Sequence, residues 1–306
     1  MSSLIEQATR RLEQLRQAGV ELPAIADEKI NNTIANKFYT DGSAKLLDVN
    51  KIVENVKAAS FSRKVELDLN ALAVAGIVSP NAPRSQIADQ YRVIKRPLIS
   101  NAMGKGASII KNGNLIMVTS ALAGEGKSFS AINLAMSIAT ELDNTVMLVD
   151  ADVARPSVLR MLGLPSSPGL LDLLVGDVED LSSVLLKTNI DKLTLLPSGT
   201  PHLRATELLA SDAMSQLIKN IANRYSDRII IFDSPPLLLT TESRVLATHM
   251  GQIVMVIQAE KTLQVDIQHA LLSIEACPVK MMVLNQAKNS QQGGYSGYGY
   301  GYGYDQ

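Results

Sequence analysis

Residues 119–128, Thr-Ser-Ala-Leu-Ala-Gly-Glu-Gly-Lys-Ser, form a loop of small residues that ends in Gly126-Lys127-Ser128 and directly follows the apolar run Leu115-Ile-Met-Val118. These residue types at this spacing suit the phosphates of a nucleotide. Glycines let the backbone curl until successive N–H groups face one anion, and a helix opening at Lys127 adds its positive dipole end. Lys127 then reaches the β- and γ-phosphates, and the Ser128 hydroxyl binds Mg²⁺. The full pattern lacks its first glycine, because Ala121 stands there. An ordinary strand-to-helix turn also accommodates Gly-Lys-Ser, so the assignment depends on the rest of the chain.

Two acidic segments supply that context. Thr145-Val-Met-Leu-Val149 runs into Asp150-Ala-Asp152 and on to Arg155, and Ile229-Ile-Ile-Phe232 runs into Asp233-Ser-Pro-Pro236. Both apolar runs have the pattern of buried strands, which places the acids at strand ends. Ligands of open parallel α/β sheets bind beyond those ends. Carboxylates there hold Mg²⁺ directly or through water, or accept a proton from an attacking hydroxyl. An Asp after a strand also serves as a helix N-cap, but together with the loop the ligand reading prevails. A dinucleotide site competes for Gly124-Glu-Gly126. It fails at Phe129, where close helix–strand packing needs a small residue, and it leaves Lys127 and Ser128 unexplained.

The elements that must position these groups alternate. Strands are expected near 114–119, 145–150, 193–197, 228–233, 252–258 and 279–285, with helical segments between them, which predicts an α/β fold with a doubly wound, mostly parallel sheet. Asn285, ending the last strand, could read an adenine base or simply bond to backbone. Three parts follow: an N-terminal extension over 1–85, a P-loop domain over 86–287 and a tail over 288–306. In the first, Leu4, Ile5, Ala8, Leu12 and Leu15 recur near helical spacing, a stripe that docks on a partner or packs on the core. The tail holds five of the eight tyrosines, Tyr295, Tyr298, Tyr300, Tyr302 and Tyr304, among alternating glycines. Such a segment is of low complexity and is expected to be disordered. Alone it would be a polar-aromatic linker, but beside a nucleotide site its glycines let a phenol enter a cleft. If the tail leaves the core near Lys288, Tyr295 lies at most roughly 24 Å away and Tyr304 roughly 55 Å, which places the nearer tyrosine poorly for its own site.

The loop Ser120–Ser128, the segment Val149–Arg155 and Phe232-Asp-Ser-Pro-Pro236, in that order and with a tyrosine-rich tail, resemble the three Walker-type motifs and tyrosine cluster of the bacterial tyrosine kinases. The segment Asp89-Gln-Tyr-Arg-Val-Ile-Lys-Arg-Pro-Leu98 narrows the resemblance to exopolysaccharide chain-length-determinant tyrosine autokinases of the exosortase-associated, EpsG-like type. It covers the chain from about residue 86 to its end. The resemblance implies a P-loop NTPase fold with a deviant Walker A loop, and ATP and Mg²⁺ as cofactors. It implies nucleotide contacts from Ala123, Gly124, Glu125, Gly126, Lys127, Ser128 and Phe129. It also implies that Ser128 and Asp152 place the metal, that Asp233 supports it through water and that Asp150 is the base for an incoming tyrosine hydroxyl. The five tail tyrosines become autophosphorylation sites used between subunits. Asp89, Arg92, Lys95 and Arg96 match a ring-forming Glu-x-x-Arg-x-x-Arg motif in charge, although Lys does not reproduce a bidentate guanidinium pair. Implied partners are a homo-oligomeric ring, a membrane-bound polysaccharide co-polymerase as activator and a cognate phosphatase, and the implied role is control of exopolysaccharide polymerisation, export and chain length. A nucleotide-switched assembly ATPase of the partition or division-site type is the alternative. Those proteins carry a signature lysine where Leu122 stands.

Composition fits this reading. With 306 residues, 46% of them hydrophobic, the chain can bury a large core. Its single cysteine forms no internal disulfide and no bridging cluster. Met1-Ser-Ser-Leu-Ile-Glu has no apolar signal core and no run approaches the ~18 residues of a spanning helix, so the expected location is cytoplasmic, peripheral to the inner membrane through the partner. A formal charge of −1 without a basic cluster argues against nucleic-acid binding. His202, His249 and His269 are dispersed and suggest no metal site.

Overall fold

The computed structural model describes residues 63–80, 85–106, 108–224 and 228–288. The Leu4–Gln17 stretch and the five tail tyrosines lie outside them. The elements run β1 (Arg63–Lys64), α1 (Leu69–Val74), α2 (Gln86–Ala102), β2 (Leu115–Ser120), α3 (Lys127–Ala139), β3 (Thr145–Asp150), α4 (Val158–Met161), α5 (Leu170–Val175), α6 (Leu181–Val184), β4 (Leu186–Lys187), β5 (Leu193–Leu196), α7 (Ala205–Leu209), α8 (Asp212–Arg224), β6 (Arg228–Asp233), α9 (Glu242–Ala247), β7 (Gln252–Gln258), α10 (Gln264–Ser273) and β8 (Val279–Asn285). One sheet takes the order β1-β4-β5-β3-β6-β2-β7-β8. All its pairings are parallel except β4 with β5.

The central strands are apolar on both faces because helices cover both. Leu115 and Met117 of β2 enter one core cluster with Met147 and Val149, while Ile116 and Val118 enter the other with Val146 and Leu148. This is the two-residue alternation of a strand buried between helical layers. Each such side chain contributes about 1.5–3 kcal/mol by leaving water. Since β6 lies between β2 and β3, the loops after these three strands open at one place, beyond their carboxyl ends.

The boundary drawn near residue 85 falls inside the folded unit. β1 pairs with β4 at the sheet edge, and Leu72, Ile77 and Val78 are buried with α3 in the second cluster. A two-residue strand of Arg63 and Lys64 carries no periodicity by which a sequence could announce it. β4 is equally short.

Helix α2 starts at the cap Ser85, whose hydroxyl accepts from the Ala88 N–H at 3.2 Å. It turns Tyr91, Lys95 and Leu98 inward. The Lys95 ammonium donates to the Ser137 carbonyl at 2.5 Å and the Thr140 hydroxyl at 3.1 Å, and pairs with Glu141 at 2.7 Å. A cation there also meets the negative end of α3.

Candidate active site

The loop after β2 needs left-handed backbone at two positions, Gly124 (φ 88°) and Gly126 (φ 94°), the second opening α3. Because Gly126 offers no side-chain cap, the first N–H groups of α3 are left for an anion. Glu125 turns inward rather than to the cleft. Its carboxylate accepts from the Leu122 N–H at 2.7 Å and from the hydroxyl of Thr262, which lies in the turn after β7. Thr262 accepts in turn from the Gln258 N–H at 3.0 Å. From the end of β8, the Asn285 amide donates to the Glu125 carbonyl at 2.9 Å, and Gln286 donates to the Gly124 carbonyl at 3.2 Å. A Cβ on Gly126 would stand 2.1 Å from the Asn285 amide nitrogen. The loop is therefore held from outside by three side chains, and Thr262 and Gln286 carry no sequence signal because they act across more than a hundred residues.

The acids converge on Lys127. Asp150 and Asp233 are register partners at the ends of β3 and β6. The Lys127 ammonium lies 2.6 Å from Asp152 Oδ2, 3.4 Å from Ser128 Oγ and 4.0 Å from Asp233 Oδ1. Asp150 Oδ2 accepts from the N–H groups of Ser157 and Val158 at 3.1 and 3.0 Å, so it also caps α4. Asp150 Oδ1 and both Asp233 oxygens are buried without a hydrogen-bond partner among the described residues. The 4.0 Å approach of Lys127 is an ion-pair distance, too long for a hydrogen bond. Burial raises the Asp233 pKa to about 7, against the Lys127 ammonium and with the help of Asp150. Burial likewise raises Asp150 to about 6, opposed by its two backbone donors.

One ammonium thus faces three carboxylates, and two of them, Asp150 and Asp233, keep buried oxygens without a partner among the described residues. The donors are hard oxygens with a hydroxyl beside them, and they fit Mg²⁺. Among the described residues no three His, Cys, Asp or Glu side chains form a complete metal cage. The adjoining cleft, of about 560 Å³, is lined by Ala123, Gly124, Gly126, Lys127, Ser128 and Phe129 on one side. Asp152, Arg155, Arg160, Pro236 and Leu239 complete it.

The structure brings together Ala123, Gly124, Gly126, Lys127, Ser128, Phe129, Asp150, Asp152 and Asp233, whereas Glu125 and Asn285 brace the loop by the contacts above. The surface quartet divides. Asp89 pairs with Arg92 on the exposed face of α2, and Arg96 is exposed, but Lys95 is 3% exposed and committed to α3. Its charge resembled a surface residue only because its partner Glu141 is distant in sequence. The chain also leaves β8 beside the loop, since Gln286 touches Gly124. No helix among the described residues is long and apolar enough to cross a membrane.

A parallel sheet with this loop and these strand-end acids defines a P-loop nucleotide-binding protein. Residues 113–279 match the family model described as an AAA domain, and the chain belongs to that family. Several of the proteins that the chain resembles are named tyrosine-protein kinases. It is 29% identical over 225 residues to the tyrosine-protein kinase YwqD of Bacillus subtilis, covering 73% of this chain and 91% of that one. It is 30% identical over 224 residues to the succinoglycan biosynthesis transport protein ExoP of Rhizobium meliloti, covering 71% of this chain but 27% of that protein. The crystal structure of the VpsO kinase domain superposes with a TM-score of 0.55 at 25% identity, over 66% of this chain and 96% of that one.

Proposed function

We propose that the protein is an ATP-dependent tyrosine autokinase that phosphorylates Tyr295, Tyr298, Tyr300, Tyr302 and Tyr304 of other copies of itself, and that it serves exopolysaccharide polymerisation and export. The observation that carries this reading is the group of buried carboxylates with unpartnered oxygens around Lys127, beside a loop whose N–H groups are open to an anion. Kinship with tyrosine-protein kinases and with a polysaccharide transport protein supports the choice of acceptor and pathway.

In this mechanism the loop N–H groups and Lys127 bind the β- and γ-phosphates of ATP. Ser128 and Asp152 would hold Mg²⁺, with Asp233 beside them, and the ion would supply neutralisation of the phosphate charge. Asp150 takes the phenolic proton at Oδ1, the oxygen left without a partner, and its raised pKa suits a base near neutrality. In-line transfer requires mainly positioning and charge stabilisation, which these residues provide. The exposed Asp89, Arg92 and Arg96 of α2 associate subunits into a ring. A membrane-bound co-polymerase activates the kinase, and a phosphatase resets it.

The test is mass spectrometry of the tail after incubating the purified chain with ATP and Mg²⁺. Phosphate on the tail tyrosines is the expected result. Hydrolysis of ATP with no phosphotyrosine, in the presence of the activating partner, would make the protein an assembly ATPase.

A further inference from the structure

The two ends of the sheet are finished differently. At one end stands β1, two residues long and cationic at both, a short charged edge of the kind that discourages further pairing. At the other stands β8, Val-Lys-Met-Met-Val-Leu-Asn, with no strand beyond it among the described residues. Such a strand points half of its N–H and C=O groups away from its neighbour. Its side chains alternate. Met281 and Val283 pack on the second core cluster, whereas Lys280, Met282 and Leu284 are register partners of Ile253, Met255 and Ile257 and share the face that α10 covers. α10 does not reach over them. Met282 is 56% and Leu284 64% exposed, and a cavity of about 430 Å³ is lined by Leu271 and Leu272 of α10 and Lys280 of β8. The one charge of the strand does not guard the edge either, because the Lys280 ammonium donates to the Glu275 and Cys277 carbonyls at 3.1 and 2.6 Å.

We propose that the tail of the same chain occupies this edge: residues 298–304 add to β8 as an antiparallel strand, with their tyrosines laid over Met282 and Leu284. The inference does not depend on the kinase reading. The path of the chain supports this occupant. Three residues separate the end of β8 from Lys288, where the described chain stops, and Gln286 (φ 58°) already turns it out of the strand line. Lys288 pairs with Glu260, in the turn after β7, at 3.2 Å. Residues 287–297 would form the connecting loop, whose reach of up to about 36 Å far exceeds the ~4.8 Å between paired strands. From 297 to 304 glycine and tyrosine alternate strictly. That is the two-residue period of a strand, and it puts the tyrosines on one face and the glycines on the other. Setting Tyr302 opposite Met282 sets Tyr300 opposite Leu284 and Tyr304 opposite Lys280, with Gly301 and Gly303 against Val283 and Met281. Cross-strand aromatic and sulfur–aromatic contacts follow. Residues 289–304 carry no charge to oppose the pairing, while their glycines keep it weak and reversible. An antiparallel return runs from the phosphate-loop end of β8 toward its start, so docking draws these tyrosines away from the loop.

The test follows hydrogen exchange in the full chain, unphosphorylated and free of nucleotide, against a variant with Tyr298, Tyr300, Tyr302 and Tyr304 changed to Ser. Amides of residues 279–285 should exchange roughly fivefold or more slowly in the parent, at every protein concentration. Those of β6 should exchange alike in both, which confirms the fold. Met282→Lys with Leu284→Lys, both on the exposed face, should free the tail, so that chymotrypsin cuts after its tyrosines roughly fivefold faster than in the parent. Equal exchange with and without the tyrosines, or equal cleavage in the Lys variant, would overturn the docking. Protection that grows with protein concentration would overturn it in favour of a tail from another copy.

Discussion

Replacing Asp233 by Asn should stabilise the nucleotide-free protein, and increasingly so as pH rises. Asp233 has an ordinary carboxyl pKa near 3.8 in the unfolded chain and about 7 in the fold, where burial penalises its charge. Between those values the native state keeps a proton that the unfolded state has lost, so wild-type stability falls as pH rises from about 4 to about 7. The full gap, about three pH units, corresponds to ~4 kcal/mol. At pH 5 about one unit of it has already been lost and at pH 8 all of it. The Asn variant should therefore gain ~2–3 kcal/mol more at pH 8 than at pH 5, reduced toward ~2 where Asp150 takes part of the proton. Urea unfolding at both pH values, in EDTA and without nucleotide, reads this as a midpoint difference of roughly 1 M. The variant should also lose any extra stabilisation that Mg²⁺ adds to bound ATP. An equal gain at both pH values, or a loss at pH 8, would refute the claim that Asp233 is a buried charge awaiting a cation.

Other perturbations separate the remaining roles. Lys127→Met should abolish phosphotyrosine while the protein stays folded, as circular dichroism and immunoblotting would show. Thr262→Val removes the hydroxyl that holds Glu125, and should cost about 1–2 kcal/mol and weaken nucleotide affinity several-fold in a fluorescence titration. Lys95→Met should lower stability by a similar ~2 kcal/mol without changing oligomer size, whereas Arg92→Glu should change oligomer size in light scattering without lowering stability. Mixing a Lys127→Met chain with an active chain whose tail tyrosines are Phe should label the inactive chain. Absence of label at high concentration would assign transfer to a single chain.

The sequence made the centre of the fold legible because its strands are buried on both faces and read as unbroken apolar runs ending in Asp150 and Asp233. It was less informative where function depends on contacts between distant residues. Glu125 stands in a phosphate loop and was assigned to the nucleotide, yet its carboxylate meets Thr262, 137 positions away. Lys95 fits a repeating charge pattern on α2, and its burial follows from Ser137, Thr140 and Glu141. β1 and β4 escape because two residues cannot show a period.

Asn285 and Gln286 end the last strand and grip the Glu125 and Gly124 carbonyls, and the described chain stops two residues later at Lys288. The tail's root and the phosphate loop are therefore one mechanical linkage. Any displacement of Asn285 or Gln286 acts directly on the Glu125 and Gly124 carbonyls, so the position of the end of β8 and the curl of the loop are set together.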